Sequence, residues 1–173
     1  KLKTSGWAGN LGFVWQATPK LSIGGVYHAK TSLGDMSGNG TLKMNATGPM
    51  LGGTATIPIT GKLKVIDFQW PETFGFGMAY QVNDKFTLAA DYKHIDWSDV
   101  MSSFRMSFTA DAVQANPAAA GMVAAGATAM NATLVQKWRD QNVFMIGGAY
   151  KATDALTLRA GLNLANNPVP NKY

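Results

Sequence analysis

Three stretches of the chain alternate apolar and polar residues in one shared register. GFVWQATPKLSIGGVY (12–27), GMAYQVNDKFTLAADY (77–92) and GGAYKATDALTLRAGL (147–162) align without a gap. Trp15, Tyr80 and Tyr150 coincide, as do Leu21, Phe86 and Leu156, and then Ile23, Leu88 and Leu158. A period of two is the signature of a strand with two unlike faces, and self-similarity at this length reports how the whole chain is built. The repeated unit is a β-hairpin. Its turns are Thr18-Pro19-Lys20, Asn83-Asp84-Lys85 and Thr153-Asp154-Ala155, and Pro or Asp after Thr or Asn suits a type I turn in a slightly longer hairpin loop.

Each strand divides into two columns. Leu156, Leu158, Ala160, Leu162 and Leu164 stand against Thr157, Arg159, Gly161 and Asn163. Phe74, Phe76, Met78, Tyr80 and Val82 stand against Gly75, Gly77, Ala79 and Gln81, and Trp7, Leu11, Phe13 and Trp15 against Ala8, Asn10, Gly12 and Gln16. Between Val143 and Tyr150 both columns are apolar, and only the repeat alignment orients that strand. If the apolar columns face lipid, arginine at Leu158 is expected to be costly and at Thr157 mild.

The turns lie 65 and 70 positions apart, far more than a hairpin needs at roughly 10 residues per membrane-length strand. Two long excursions, about 31–70 and 98–138, take up the surplus. All three short turns then fall on one edge of the sheet and both excursions on the other, the layout of an outer-membrane β-barrel with periplasmic turns and extracellular loops. The expected fold is all-β: about six strands of an antiparallel up-and-down transmembrane barrel, forming a single partial domain over 1–173, with one short helix in a long loop. A soluble β-sandwich would produce the same alternation. Two details favour lipid: aromatic residues recur at the strand ends, and the second column holds Asp91, Lys93 and Arg159, which a dry core would not tolerate.

Composition changes the picture little. The chain has 173 residues, is 46% hydrophobic and carries a net charge of +5. Its basic residues are scattered without interleaved aromatics, which argues against a nucleic-acid partner. No cysteine is present, so thiolate metal sites and disulfides are excluded. No nucleophile elbow, phosphate loop or paired-carboxylate site appears, so no catalytic residue, cofactor or metal is expected and the chain does not read as an enzyme. His94, Asp96 and Asp99 are too few converging ligands for a metal. The chain opens on Lys1 in mid-pattern and reads as an internal piece of a longer one, because six strands fall short of the about eight that close the smallest barrels.

WPETFGFGMAY (70–80), LAADYKHIDWSD (88–99) and LTLRAGLNLANNPVP (156–170) together resemble the FadL/TodX family of outer-membrane transporters for long-chain fatty acids and aromatic hydrocarbons. The resemblance covers nearly the whole chain except the excursions. It implies a 14-stranded barrel, monomeric when full length, in the bacterial outer membrane, through which a hydrophobic small molecule passes without an energy source. The other readings are an adhesive barrel that conducts nothing and a soluble β-sandwich binding module.

Candidate ligand contacts follow from chemistry. The first excursion mixes glycines with Leu33, Met36, Met44, Met50, Leu51, Ile57 and Ile59, either an adaptable apolar surface or aliphatics packed on each other. The second holds ANPAAAGMVAAGATAMNATLVQ (115–136), where Asn116 and Pro117 are a helix start and Met122 and Met130 are candidate contacts. Arg159, Lys137 and Arg139 are candidate partners for a carboxylate headgroup, with Asp91 the alternative partner for Arg159.

Overall fold

The computed structural model describes residues 1–48 and 53–171. Its strands are β1 (Gly6–Trp7), β2 (Asn10–Thr18), β3 (Leu21–His28), β4 (Ser32–Leu33), β5 (Met36–Gly48), β6 (Gly53–Ile66), β7 (Thr73–Asn83), β8 (Phe86–Ile95), β9 (Ser103–Ala110), β10 (Ala129–Val135), β11 (Gln141–Lys151) and β12 (Thr157–Ala165). Two helices, α1 (Trp97–Val100) and α2 (Pro117–Ala124), complete it. The chain divides into two compact units, one of 7–32, 69–102 and 136–173, the other of 1–6, 33–68 and 103–135.

The first unit is a six-stranded antiparallel sheet in the order β12-β11-β8-β7-β3-β2. The three repeated hairpins are β2–β3, β7–β8 and β11–β12. Each turn is stabilised by the side-chain oxygen of its first residue. Thr18 Oγ1 accepts from the Lys20 N–H, Asn83 Oδ1 from those of Lys85 and Phe86, and Thr153 Oγ1 from those of Ala155 and Leu156. The first two hairpins also share a register shift just before the turn, at Gln16/Thr18 and Gln81/Asn83. These irregularities serve where a two-residue turn would have required glycine.

Directly paired residues share a face, so the register sorts every column. One row across all six strands reads Trp15, Ile23, Met78, Ala90, Ile146 and Leu162. The next reads Phe13, Gly25, Phe76, Tyr92, Phe144 and Leu164. The opposite face carries Val14, Gly24, Gly77, Asp91, Met145 and Asn163 in one row and Gln16, Ser22, Ala79, Ala89, Gly147 and Gly161 in another. The alignment therefore orients β11 as expected, with Phe144, Ile146 and Tyr150 on the apolar face.

Among the described residues none covers that face: Leu162 is 70% exposed, Leu164 69% and Ile146 58%. Among the described residues of this unit the buried apolar side chains are Val143 and Pro71. A sheet that leaves a whole row of Leu, Ile and Phe uncovered has no sandwich core, and needs a nonaqueous medium. From Leu156 to Leu164 the apolar column is about 27 Å long at ~3.4 Å per residue, comparable to the roughly 25 Å apolar band of outer-membrane barrels.

The second unit takes up most of the two excursions, which hold regular structure. It is a four-stranded antiparallel sheet, β10-β9-β6-β5. The alternation had been present in the sequence: on β6, Ala55, Ile57, Ile59, Gly61, Leu63 and Val65 form one column and Thr54, Thr56, Pro58, Thr60, Lys62 and Lys64 the other. Frequent Gly and Asn on β5 masked it, because these residues are poor strand formers taken singly. Some of the aliphatics of residues 31–62 pack on each other. Ile57, Ile59, Phe108 and Ala119 are buried together, with Leu42, Met44, Leu63, Met122 and Val123 against them. The 115–136 segment starts as expected, with Asn116 Oδ1 accepting from the Ala118 and Ala119 N–H groups and Pro117 at the first turn. The helix then stops at Ala124, and Ala129–Val135 is strand β10 rather than helix. Gly126, at φ +100, ends it in the left-handed region.

Beyond Gly61 strand β6 loses its partner β9, and its free edge is closed locally. Gln114 Nε2 donates to the Thr60 carbonyl, Gln114 Oε1 accepts from the Thr60 N–H, and Pro58 offers no donor.

Candidate functional site: two concavities

Each unit carries a concavity on a defined face. In the six-stranded sheet it is a trough of about 500 Å³ whose floor is bare backbone at Gly24, Gly75 and Gly77 and whose flanks include Val14, Val26 and Met145. Gly77 is bare for a reason on the neighbouring strand. A Cβ there would meet the Asp91 carboxylate, which lies over it. Lys93 lies in the next row of the same face, beside Gly75. Among the described residues, the ion pairs are Lys30–Asp99, Arg105–Asp67 and Lys151–Asp154, and neither Asp91 nor Lys93 belongs to one.

In the four-stranded sheet the concavity is about 220 Å³. Leu42, Leu63, Met106, Phe108, Met130 and Ala132 stand on the apolar column around it, and no charged side chain lines it. Gly40 deepens it by leaving out a side chain. Helix α2 packs on the neighbouring stretch at Ile57 and Ile59 and leaves this part open.

The residues singled out from the sequence do not converge on one place. Met130 lines the smaller concavity, Met44 and Met122 pack against the buried cluster, and Met36 stands on the same column at the start of β5. Met50 lies outside the described residues. Arg159 is on the small-residue face, opposite Ala149. Asp91 is not its partner: it is level with Met145 and Asn163, four residues along β12 from Arg159 and about 13 Å away along the strand. Lys137 precedes β11 at φ +46, its N–H bound to the Ser102 carbonyl. Arg139 is held by its N–H on the Pro168 carbonyl. Sequence reasoning missed Asp91 with Gly77, and Met106 with Phe108. The glycines alternating with aromatics along β7 were the available signal for the first pair.

At the edge away from the turns, polar groups stand on the apolar face. Tyr92 Oη donates to Asn142 Oδ1, His94 Nδ1 shares that oxygen at 2.9 Å, and Tyr27 Oη donates to Glu72. Trp97 packs between Trp70 and Trp138, with ring centroids 6.4 and 5.1 Å away. Just outside β11, Asp140 accepts from the Ser98 N–H at 3.0 Å, which holds its carboxyl below the ordinary 3.8 against the opposing effect of burial. A depressed carboxyl contributes stability at pH values above its unfolded value and loses it as pH falls through the folded one. Tryptophan fluorescence from the Trp97–Trp138 contact should therefore stay constant from neutral pH down to about 4 and change below it. In Asp140→Asn the change should be absent.

The family model for outer membrane protein transport proteins (OMPP1/FadL/TodX) matches residues 1–173. No curated protein matches the chain. The crystal structure of the toluene transporter TbuX of Ralstonia pickettii is 31% identical, with a TM-score of 0.72 over 95% of this chain and 36% of its own. That of the toluene transporter TodX of Pseudomonas putida is 32% identical, with a TM-score of 0.72 over 95% and 36%. A Pseudomonas aeruginosa FadL homologue shares the fold, at 18% identity and a TM-score of 0.61 over 94% and 34%. This chain thus spans about a third of the length of those relatives. The uncovered apolar face, the open sheet and these matches agree: the chain belongs to the OMPP1/FadL/TodX family of outer-membrane transport proteins.

Proposed function

We propose that this segment forms part of a passive outer-membrane channel for small, uncharged hydrophobic molecules, working as a monomer in contact with membrane lipid and without cofactor or covalent chemistry. One observation carries the reading: the smaller concavity presents Leu42, Leu63, Met106, Phe108 and Met130 with no charged side chain. Flexible thioethers beside an aromatic ring suit an apolar guest of variable shape. A carboxylate ligand would lose its hydration there with no cation in return, whereas an arene or alkane loses nothing polar. The solved relatives described as toluene transporters agree with that class.

Met130 is the member of the candidate set that contacts the guest, and Met36, Met44 and Met122 shape the wall behind it. Arg159, Lys137 and Arg139 act outside this concavity, on the six-stranded unit. The test is toluene uptake by cells producing an intact family barrel that carries this sequence. Uptake above that of cells without the barrel is expected, falling severalfold in Ala132→Phe, which fills the concavity. Uptake equal to the barrel-free control defeats the reading and leaves the adhesive alternative.

A further inference from the structure

The trough of the six-stranded sheet has a chemistry that the smaller concavity lacks. Its walls are apolar or bare, yet a carboxylate and an ammonium stand two residues apart on one strand face, Asp91 and Lys93. Their Cα atoms are about 6.5–7 Å apart along the strand, and no ion pair joins them. Among the described residues Asp91 has no hydrogen-bond partner either, although it is held over Gly77. The other nearby titratable group is engaged, His28 Nδ1 lying 2.7 Å from Asn10 Oδ1.

We propose that this trough binds an apolar molecule bearing a single hydroxyl group, which donates its O–H to Asp91 and accepts from the Lys93 ammonium. One ligand oxygen within hydrogen-bond distance of both groups would bridge charged atoms about 5.5 Å apart. A ligand carboxylate would suit Lys93 but be repelled by Asp91. A ligand ammonium would suit Asp91 but be repelled by Lys93. An unsubstituted hydrocarbon would displace water from both charges and return nothing. The hydroxyl is the small neutral group that is donor and acceptor at once. Gly77 is the seat of the arrangement, since any side chain there evicts the carboxylate.

The inference rests on the transport reading, as a second and more selective station for the same kind of guest, and the two fail separately. The probes are toluene, p-cresol and p-toluate, similar in size and different in their polar group, titrated calorimetrically into the detergent-solubilised intact barrel carrying this sequence. p-Cresol is expected to bind about tenfold tighter than toluene, a ratio typical of one hydrogen bond to a charged group, and p-toluate more weakly than p-cresol. Asp91→Ala should remove the preference for p-cresol while leaving toluene binding in place, which also reports that the variant is folded. Gly77→Ala, which keeps the carboxylate but displaces it, should do the same. An unchanged p-cresol to toluene ratio in both variants, or p-toluate binding as tightly as p-cresol, overturns the hydroxyl site while leaving hydrocarbon transport standing. Absence of toluene uptake in cells is the separate failure of the transport reading.

Discussion

Arginine in place of Leu162 is expected to destabilise an intact barrel carrying this sequence by about 2–4 kcal/mol, the cost of a charged side chain at the bilayer midplane. Leu162 belongs to the row of Trp15, Ile23, Met78, Ala90 and Ile146, next to the middle of β12 (Thr157–Ala165), and is 70% exposed. Leu158 is paired with Tyr150 near the turn, at the level of the aromatic girdle. Arginine there should cost only about 0–1 kcal/mol, since its long stem can carry the charge to the interface. The alternation alone pointed to Leu158 as the sensitive site, and the register moves the maximum two rows inward. Thr157→Arg and Asn163→Arg, on the other face, should both be mild. Unfolding in lipid vesicles measures all four. Equal cost at Leu162 and Asn163 would mean that the faces are exchanged.

Ile59→Ala should be the other large effect, about 2–5 kcal/mol for a truncated buried aliphatic. Ile59 is 2% exposed and belongs to the cluster with Ile57, Phe108 and Ala119 that holds helix α2 to β6. Because that cluster holds the buried apolar side chains of the four-stranded unit other than Val65 among the described residues, the loss should be concentrated there. Limited proteolysis should cut near Pro117–Ala124 in the variant and not in the parent chain. The six-stranded unit, which does not share that cluster, should keep its resistance. Cleavage spread evenly over both units would show that they melt as one.

The hairpins were legible because period-two alternation, strand-end aromatics and turn chemistry repeat three times, so each copy corrected the others. Trp15, Tyr80 and Tyr150 fell on one face as expected. The four-stranded unit was not legible in the same way. Its alternation on β6 is as clean as that on β12, but it occurs once, and Gly38, Asn39 and Gly40 on the partner strand look like a loop when read alone. The α2 start was readable from Asn116 and Pro117, whereas its end was not, since Ala125 to Met130 continue the same small apolar composition into a strand. Which candidate contacts share a wall was not legible, for a physical reason. A methionine's place in a wall or behind it depends on cross-strand register, which brings Met130 beside Phe108 and is invisible in sequence spacing. The Asp91–Gly77 arrangement likewise joins residues fourteen positions apart through the β7–β8 pairing.

The Gln114 side chain clasping Thr60 has a consequence for how this chain goes astray. Of the two outer margins of the 36–66 hairpin, one is sealed by that amide and by a proline. Along the other, the main-chain groups of Asn39, Thr41, Lys43, Asn45 and Thr47 point away from β6, by alternation from Ser37, whose N–H and C=O bond Lys3. Molecules stranded in water before insertion should therefore stack through β5, and a polymer grown that way would be blocked by a single proline at Thr41 or Lys43.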